Sequence, residues 1–223
     1  MIAADACRLC VITDRQSARG LSHVEIAARA VEGGASMIQL RDKVAGPGQL
    51  LPEARQIAQL CRERGVCFIV NDRLDLALAA DADGVHLGQD DLPPPAARRV
   101  LGPDKILGVS THSLEQALEA TEQGADYLGS GPIFATGTKA TGYEPRGCGI
   151  IRQLRSRIDL PLIAIGGIAL NNVGEVIAAG ATGAAVISAI VGAADITAAT
   201  AAFATAIHAA RACLHSGRAI MSD

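Results

Sequence analysis

The chain has 223 residues, of which 49% are hydrophobic and 19% charged, with a formal net charge of -3. That much apolar side chain excludes a disordered chain, because burying it offsets the ordering entropy, and Gly, Asp, Asn or Arg interrupts every Ala-rich stretch before the roughly 20 apolar residues a bilayer crossing needs. Mild acidity and an aromatic content of 2% argue against nucleic acid as the partner, which leaves small molecules.

Met1 to Ala6 carries no basic region ahead of an apolar run, so no export signal is expected. The six cysteines (Cys7, Cys10, Cys61, Cys67, Cys148, Cys213) are therefore expected as free thiols of a cytoplasmic protein. Cys7 and Cys10 have redox or zinc spacing, but no second pair completes a zinc site. Their expected role is structural.

Short apolar runs recur in chain order at Leu9 to Thr13, Met37 to Leu40, Val66 to Val70, Gly84 to Leu87, Lys105 to Val109, Asp126 to Leu128, Leu160 to Ile165 and Ala184 to Ile187. Between them lie stretches with apolar positions at three- and four-residue steps: His23 to Val31, Leu50 to Arg64, Leu114 to Gln123, Gly149 to Arg157, Leu170 to Ala179 and Ile196 to Ala212. Glu32-Gly33-Gly34-Ala35, Glu122-Gln123-Gly124-Ala125 and Ala178-Ala179-Gly180-Ala181 read as helix stops leading into strands. Pro93-Pro94-Pro95 reads as a turn. A strand–helix unit of roughly 25 residues repeated eight times predicts an α/β fold, a single (β/α)₈ TIM barrel with its core over about 8–212. The alternative, a doubly wound open sheet, lacks its G-x-G-x-x-G fingerprint here, and the G-x-x-x-x-G-K-[ST] phosphate loop is absent as well.

In such a barrel the residues just past each strand converge on one mouth. Those positions are Asp14, Arg41 to Lys43, Asn71 and Asp72, His86 to Asp91, Ser110 to His112, Gly129 to Lys139, Gly166 and Gly167, and Ser188. Ile165-Gly166-Gly167-Ile168 and Ile187-Ser188 occupy the place where barrels often cradle a phosphate. Asp72 and Asp91 follow neighbouring strands. They are either a carboxylate pair whose repulsion a Mg²⁺ would relieve, or loop acids in solvent or salt-bridged to Arg41 and Arg73. Arg41, Lys43 and Lys139 together suit a diphosphate. His86 and His112 read as packed or hydrogen-bonded histidines rather than ligands.

The chain resembles the thiamine phosphate synthase family from Arg8 to about Ala212. The resemblance rests on Ile12-Thr13-Asp14, Ile38-Gln39-Leu40-Arg41-Asp42-Lys43, Val70-Asn71-Asp72-Arg73, Val85-His86-Leu87-Gly88-Gln89-Asp90-Asp91-Leu92, Gly108-Val109-Ser110, Gly131-Pro132-Ile133-Phe134, Thr136-Gly137-Thr138-Lys139, Ile165-Gly166-Gly167-Ile168 and Ile187-Ser188. It implies a transferase that joins 4-amino-5-hydroxymethyl-2-methylpyrimidine diphosphate to a thiazole phosphate and releases pyrophosphate. It further implies that Gln39, Arg41, Lys43 and Asn71, with Leu40 and Asp42 in the same segment, bind the pyrimidine diphosphate. Asp72 and Asp91 would hold Mg²⁺, and Ser110 and Lys139 would contact the pyrimidine and its departing diphosphate. Thr136, Gly137, Thr138, Gly167, Ile187 and Ser188 would hold the thiazole phosphate.

Two positions depart from the family pattern. The run after Lys139, Ala140 to Gly147, lacks the usual Lys or Pro followed by Asp, and Cys10 stands where Tyr is common, a change expected to affect packing alone. Two other functions compete. A related group of barrels tautomerises the thiazole phosphate with a histidine after the fifth strand, where His112 sits, but needs no metal and typically lacks Asn71-Asp72 and Asp91. A catalytically silent ligand-binding barrel, using the Ala-rich helix from Ile196 to Ala212 in a homo-oligomer, has no need of both acids and the opposing bases.

Overall fold

The computed structural model describes residues 2–137 and 142–219, with side chains as far as Leu214. Eight parallel strands close into a barrel in sequence order: β1 (Leu9–Thr13), β2 (Met37–Leu40), β3 (Cys67–Asn71), β4 (Gly84–Leu87), β5 (Ile106–Thr111), β6 (Tyr127–Ser130), β7 (Leu162–Ile165) and β8 (Gly183–Val186). The last pairs back onto the first, with Cys10 beside Ala185. Around them run α1 (His23–Glu32), α2 (Pro47–Arg64), α3 (Leu74–Ala79), α4 (Pro94–Leu101), α5 (Leu114–Glu122), α6 (Gly147–Arg155), α7 (Val173–Ala178), α8 (Ser188–Val191) and α9 (Ile196–Ala219).

Side-chain alternation sorts each strand between two cores. Cys10, Ile12, Met37, Ile69, Tyr127 and Ile163 fill the barrel interior. Leu9, Val11, Ile38, Leu40, Phe68 and Val70 turn outward into the layer shared with the helices. Positions two residues apart therefore face the same way, and Gln39, Asn71, His86, Ser110 and Gly129 continue the inward rows toward the mouth.

The closed end of the barrel is fastened by one device used four times. Ser36, Asp83, Asp126 and Thr182 each immediately precede an even-numbered strand. Their side chains accept the backbone N–H of Leu9 (2.9 Å), Phe68 (2.7 Å), Leu107 (2.9 Å) and Leu162 (3.0 Å) in the preceding odd-numbered strand. Each returns its own N–H to the carbonyl of that same residue. Arg98 reinforces one of these clamps by reaching Asp126 at 2.6 Å.

The expected helix stops hold: Gly34, Gly124 and Gly180 all have positive φ. Three short helices, α3, α4 and α8, were not expected. Pro93-Pro94-Pro95 is not a free turn but opens α4, with proline in its first turn, where its missing N–H costs nothing. α7 starts later than Leu170 because the Asn172 carboxamide accepts the Ala169 N–H at 2.8 Å and holds that segment as a turn. No helix among the described residues is long and apolar enough to cross a membrane.

Candidate active site

The strands' C-terminal ends surround an open cavity of about 990 Å³, counting the solvent at its mouth. Its floor is apolar, from Cys10, Ile12, Ile163 and Ala185, and its walls carry Gln39, Arg41, Asn71, Ser110, Thr136, Gly167, Ile187 and Ser188. All eight wall residues are among the positions read from the sequence. Thr138 and Lys139 lie outside the described residues, and Gly137 is exposed beside Thr136.

Two positions behave differently from expectation. Leu40 is 1% exposed and packs in the sheet–helix layer; with Gln39 pointing in, pleating sends its neighbour out, so its side chain is no cavity wall. Asp42 braces its own loop, its Oδ1 accepting the N–H groups of Val44 (2.8 Å) and Ala45 (2.9 Å) while Oδ2 meets His23 Nε2 at 3.1 Å. Burial pushes its carboxyl up, but those N–H groups and His23 hold it below the ordinary carboxylate range.

Asp72 sits at the end of β3 with φ 62 and forms an ion pair with Lys43. Arg73 does not reach it, pairing instead with Asp75 at 2.7 Å. Asp91 accepts the Gly88 N–H at 2.7 Å. Its carboxyl is pushed up by burial and by the charge and hydrogen bond of Asp72, against the pull of the Gly88 N–H and Lys43. Asp91 thus lies close enough to Asp72 to resist ionising beside it. Two hard carboxylate oxygens fit a Mg²⁺ that keeps water and substrate phosphate as its other ligands. No group of three or more His, Cys, Asp or Glu side chains among the described residues is placed to hold a metal, which leaves a metal there dependent on such outside ligands.

Sequence reasoning missed how the cavity's polar wall is wired. His86 Nδ1 lies 2.9 Å from the Tyr127 hydroxyl and Nε2 lies 2.9 Å from Ser110 Oγ, while Tyr127 is also bonded to Gln39. Gln39, Tyr127, His86 and Ser110 thus form one hydrogen-bonded row across the cavity wall. The rings fit because the facing positions are glycine: a Cβ on Gly108 would stand 2.1 Å from Tyr127 Cζ, and one on Gly129 would stand 2.9 Å from His86 Cε1. That pair of glycines was the available signal. His112 also reaches the cavity; its Nδ1 bonds to the Gly131 carbonyl and its ring stacks on Tyr143 at 3.7 Å.

At the β7 end, Gly166 (φ +96) and Gly167 (φ +63) bring bare backbone to the cavity; a Cβ on Gly167 would meet the Ala135 carbonyl oxygen at 2.5 Å.

Over residues 9–190 the chain matches the family model described as thiamine monophosphate synthase. The chain belongs to that family. It is 52% identical to the thiamine-phosphate synthase of Methanospirillum hungatei, over 89% of this chain and 96% of that protein. It is 55% identical to the one from Chlorobium phaeobacteroides, over 86% and 92% of the two chains. The structure of thiamine phosphate pyrophosphorylase from Pyrococcus furiosus superposes with a TM-score of 0.87 at 40% identity, covering 93% of this chain and 98% of that one. Like its family, the chain is a transferase on a (β/α)₈ barrel.

Proposed function

We propose that this single-domain barrel condenses 4-amino-5-hydroxymethyl-2-methylpyrimidine diphosphate with a thiazole phosphate inside the mouth, giving thiamine phosphate and pyrophosphate, with Mg²⁺ as cofactor. The observation that carries the mechanism is the juxtaposition of Asp72 and Asp91 with Lys43, in loops whose residues Asn71 and Arg41 line the cavity. That arrangement suits a polyanion and a divalent cation together.

The reaction breaks the bond between the pyrimidine's exocyclic methylene and the diphosphate oxygen, which leaves with the electron pair. The aminopyrimidine delocalises the resulting positive charge, and the thiazole nitrogen then forms the new C–N bond. Arg41 and Lys43 bind the diphosphate and neutralise the charge growing on it, the usual largest contribution in such a step. Lys139 contributes to the same task. Gln39 and Asn71 orient the pyrimidine, and Ser110, held by His86 at 2.9 Å, contacts the pyrimidine and the departing diphosphate. Thr136, Thr138, Gly167, Ile187 and Ser188 hold the thiazole phosphate so that its nitrogen lies in line. Asp72 and Asp91 would hold the Mg²⁺, which when bound supplies positive charge to the leaving diphosphate.

Purified protein given both substrates should release pyrophosphate and form thiamine phosphate, detected by chromatography. A chelator should stop both, and Asp72→Ala should reduce turnover at least about 100-fold with unchanged circular dichroism, the order expected when transition-state charge stabilisation is lost. Metal-independent isomerisation of the thiazole phosphate alone, or undiminished turnover by Asp72→Ala, would overturn this reading.

A further inference from the structure

His23 is the first residue of α1, and its side chain is completely buried between the end of β1 and the loop after β2. A buried imidazole is costly unless its nitrogens are bonded, and both are. Nδ1 lies 2.7 Å from Thr13 Oγ1, and Nε2 lies 3.1 Å from Asp42 Oδ2. The ionised Asp42 is an acceptor alone, so Nε2 carries the proton. In the neutral ring Nδ1 then accepts from the Thr13 hydroxyl, whose oxygen in turn accepts the Arg41 backbone N–H at 3.3 Å.

The bridge reaches the segment 41–45 at three backbone N–H groups: that of Arg41 through Thr13, and those of Val44 and Ala45 through Asp42. Arg41 and Lys43 stand on that segment. The backbone of His23 is held as well, since its main-chain N–H donates to Glu53 Oε2 at 2.9 Å and Glu53 pairs with Arg15.

We propose that His23 is a positioning residue for the diphosphate: by bridging Thr13 to Asp42 it fixes the loop that carries Arg41, which lines the mouth, and Lys43, which pairs with Asp72. The proposal rests on the function assigned above. It concerns one substrate and not the other, because no bond of the bridge touches the β6, β7 or β8 ends where the thiazole phosphate is placed.

The test compares His23→Leu, Thr13→Val and Thr13→Ser with the wild type. The measurements are KM for each substrate, calorimetric titration with inorganic pyrophosphate in the presence of Mg²⁺, and Tm. His23→Leu and Thr13→Val should raise KM for the pyrimidine diphosphate and the Kd for pyrophosphate about 10-fold, the scale of one buried hydrogen bond left unmade. KM for the thiazole phosphate should stay within about twofold, and Thr13→Ser, which keeps the hydroxyl, should restore wild-type values. Should His23→Leu fail to fold, the Thr13 pair decides alone. An unchanged KM for the pyrimidine diphosphate, or an equal rise in both KM values, would sink the proposal. A wild type that forms no thiamine phosphate would instead overturn the function itself.

Discussion

Lys43 and Asp72 form an ion pair between the loops that follow the adjacent strands β2 and β3. The lysine thereby occupies an oxygen that the proposed metal needs, while being itself one of the cations proposed for the diphosphate. Lys43→Ala should have two opposed effects. KM for the pyrimidine diphosphate should rise about 10-fold or more as a phosphate contact is lost. Mg²⁺ alone should raise the variant's Tm more than it raises the wild type's, because Asp72 no longer has a competing partner. Thermal scans across a Mg²⁺ series and steady-state kinetics separate the two effects; parallel Tm responses would show that the lysine does not compete.

Asp42 titrates below the ordinary carboxylate value of 3.8 because the Ala45 and Val44 N–H groups and His23 outweigh its burial. A carboxyl depressed by folding adds stability that is present above its unfolded pKa and lost as pH falls through its folded one. Asp42→Asn should therefore lower Tm at neutral pH, and the gap from the wild type should close as pH drops below 3.8. A gap independent of pH would locate the effect elsewhere.

Tyr127→Phe removes the hydroxyl between Gln39 and His86 and leaves two buried polar groups short of a partner. The cost should be about 1–3 kcal/mol of stability. kcat/KM for the pyrimidine diphosphate should fall with it, since both ends of the chain, Gln39 and Ser110, lie in the cavity wall. Denaturant titration and kinetics on the same preparation test the coupling.

Gly167→Ala combines a positive φ with a Cβ placed 2.5 Å from the Ala135 carbonyl oxygen and 2.7 Å from Phe134 Cβ. The strain alone is worth about 1–3 kcal/mol, and the β6–α6 segment must shift to relieve the contact. KM for the thiazole phosphate should rise while pyrophosphate binding, measured by calorimetry, stays near the wild-type value.

The cysteines divide by burial. Cys7 and Cys61 are pushed up to about 12 by burial, and Cys10 is raised further by the same cause. A buried thiol that stays protonated is a poor nucleophile. Iodoacetamide at pH 8 should label the exposed Cys213 first and leave Cys7, Cys10 and Cys61 unmodified until the protein unfolds, as read by peptide mass spectrometry.

Barrel closure was legible because strand-sized apolar runs alternate with helix stops, and Gly34, Gly124 and Gly180 do take the left-handed conformation those stops need. The cavity wall was legible because polar residues past a strand's end have few other places to go. What escaped was short or two-sided. α3 and α8 span six and four residues, too few for a helical period to emerge, and the prolines of α4 carry the same signal as a turn. Leu40 shows the limit of reading a contiguous motif as a contiguous site, since pleating sends alternate residues to opposite faces. His86 and Tyr127 lie within strands and look like core residues, and their bonds depend on neighbours brought together by the register of β4, β5 and β6.

The four side-chain clamps at Ser36, Asp83, Asp126 and Thr182 lie at the opposite pole from the proposed catalytic rim. Rigidity and reactivity are in this way delegated to separate ends of one cylinder, and the rim can be remodelled without loosening what holds the staves. Swapping rim side chains for those that suit another phosphorylated ligand should yield folded barrels of altered selectivity, whereas damage to a single clamp should free one pair of staves and leave the other three pairs fastened.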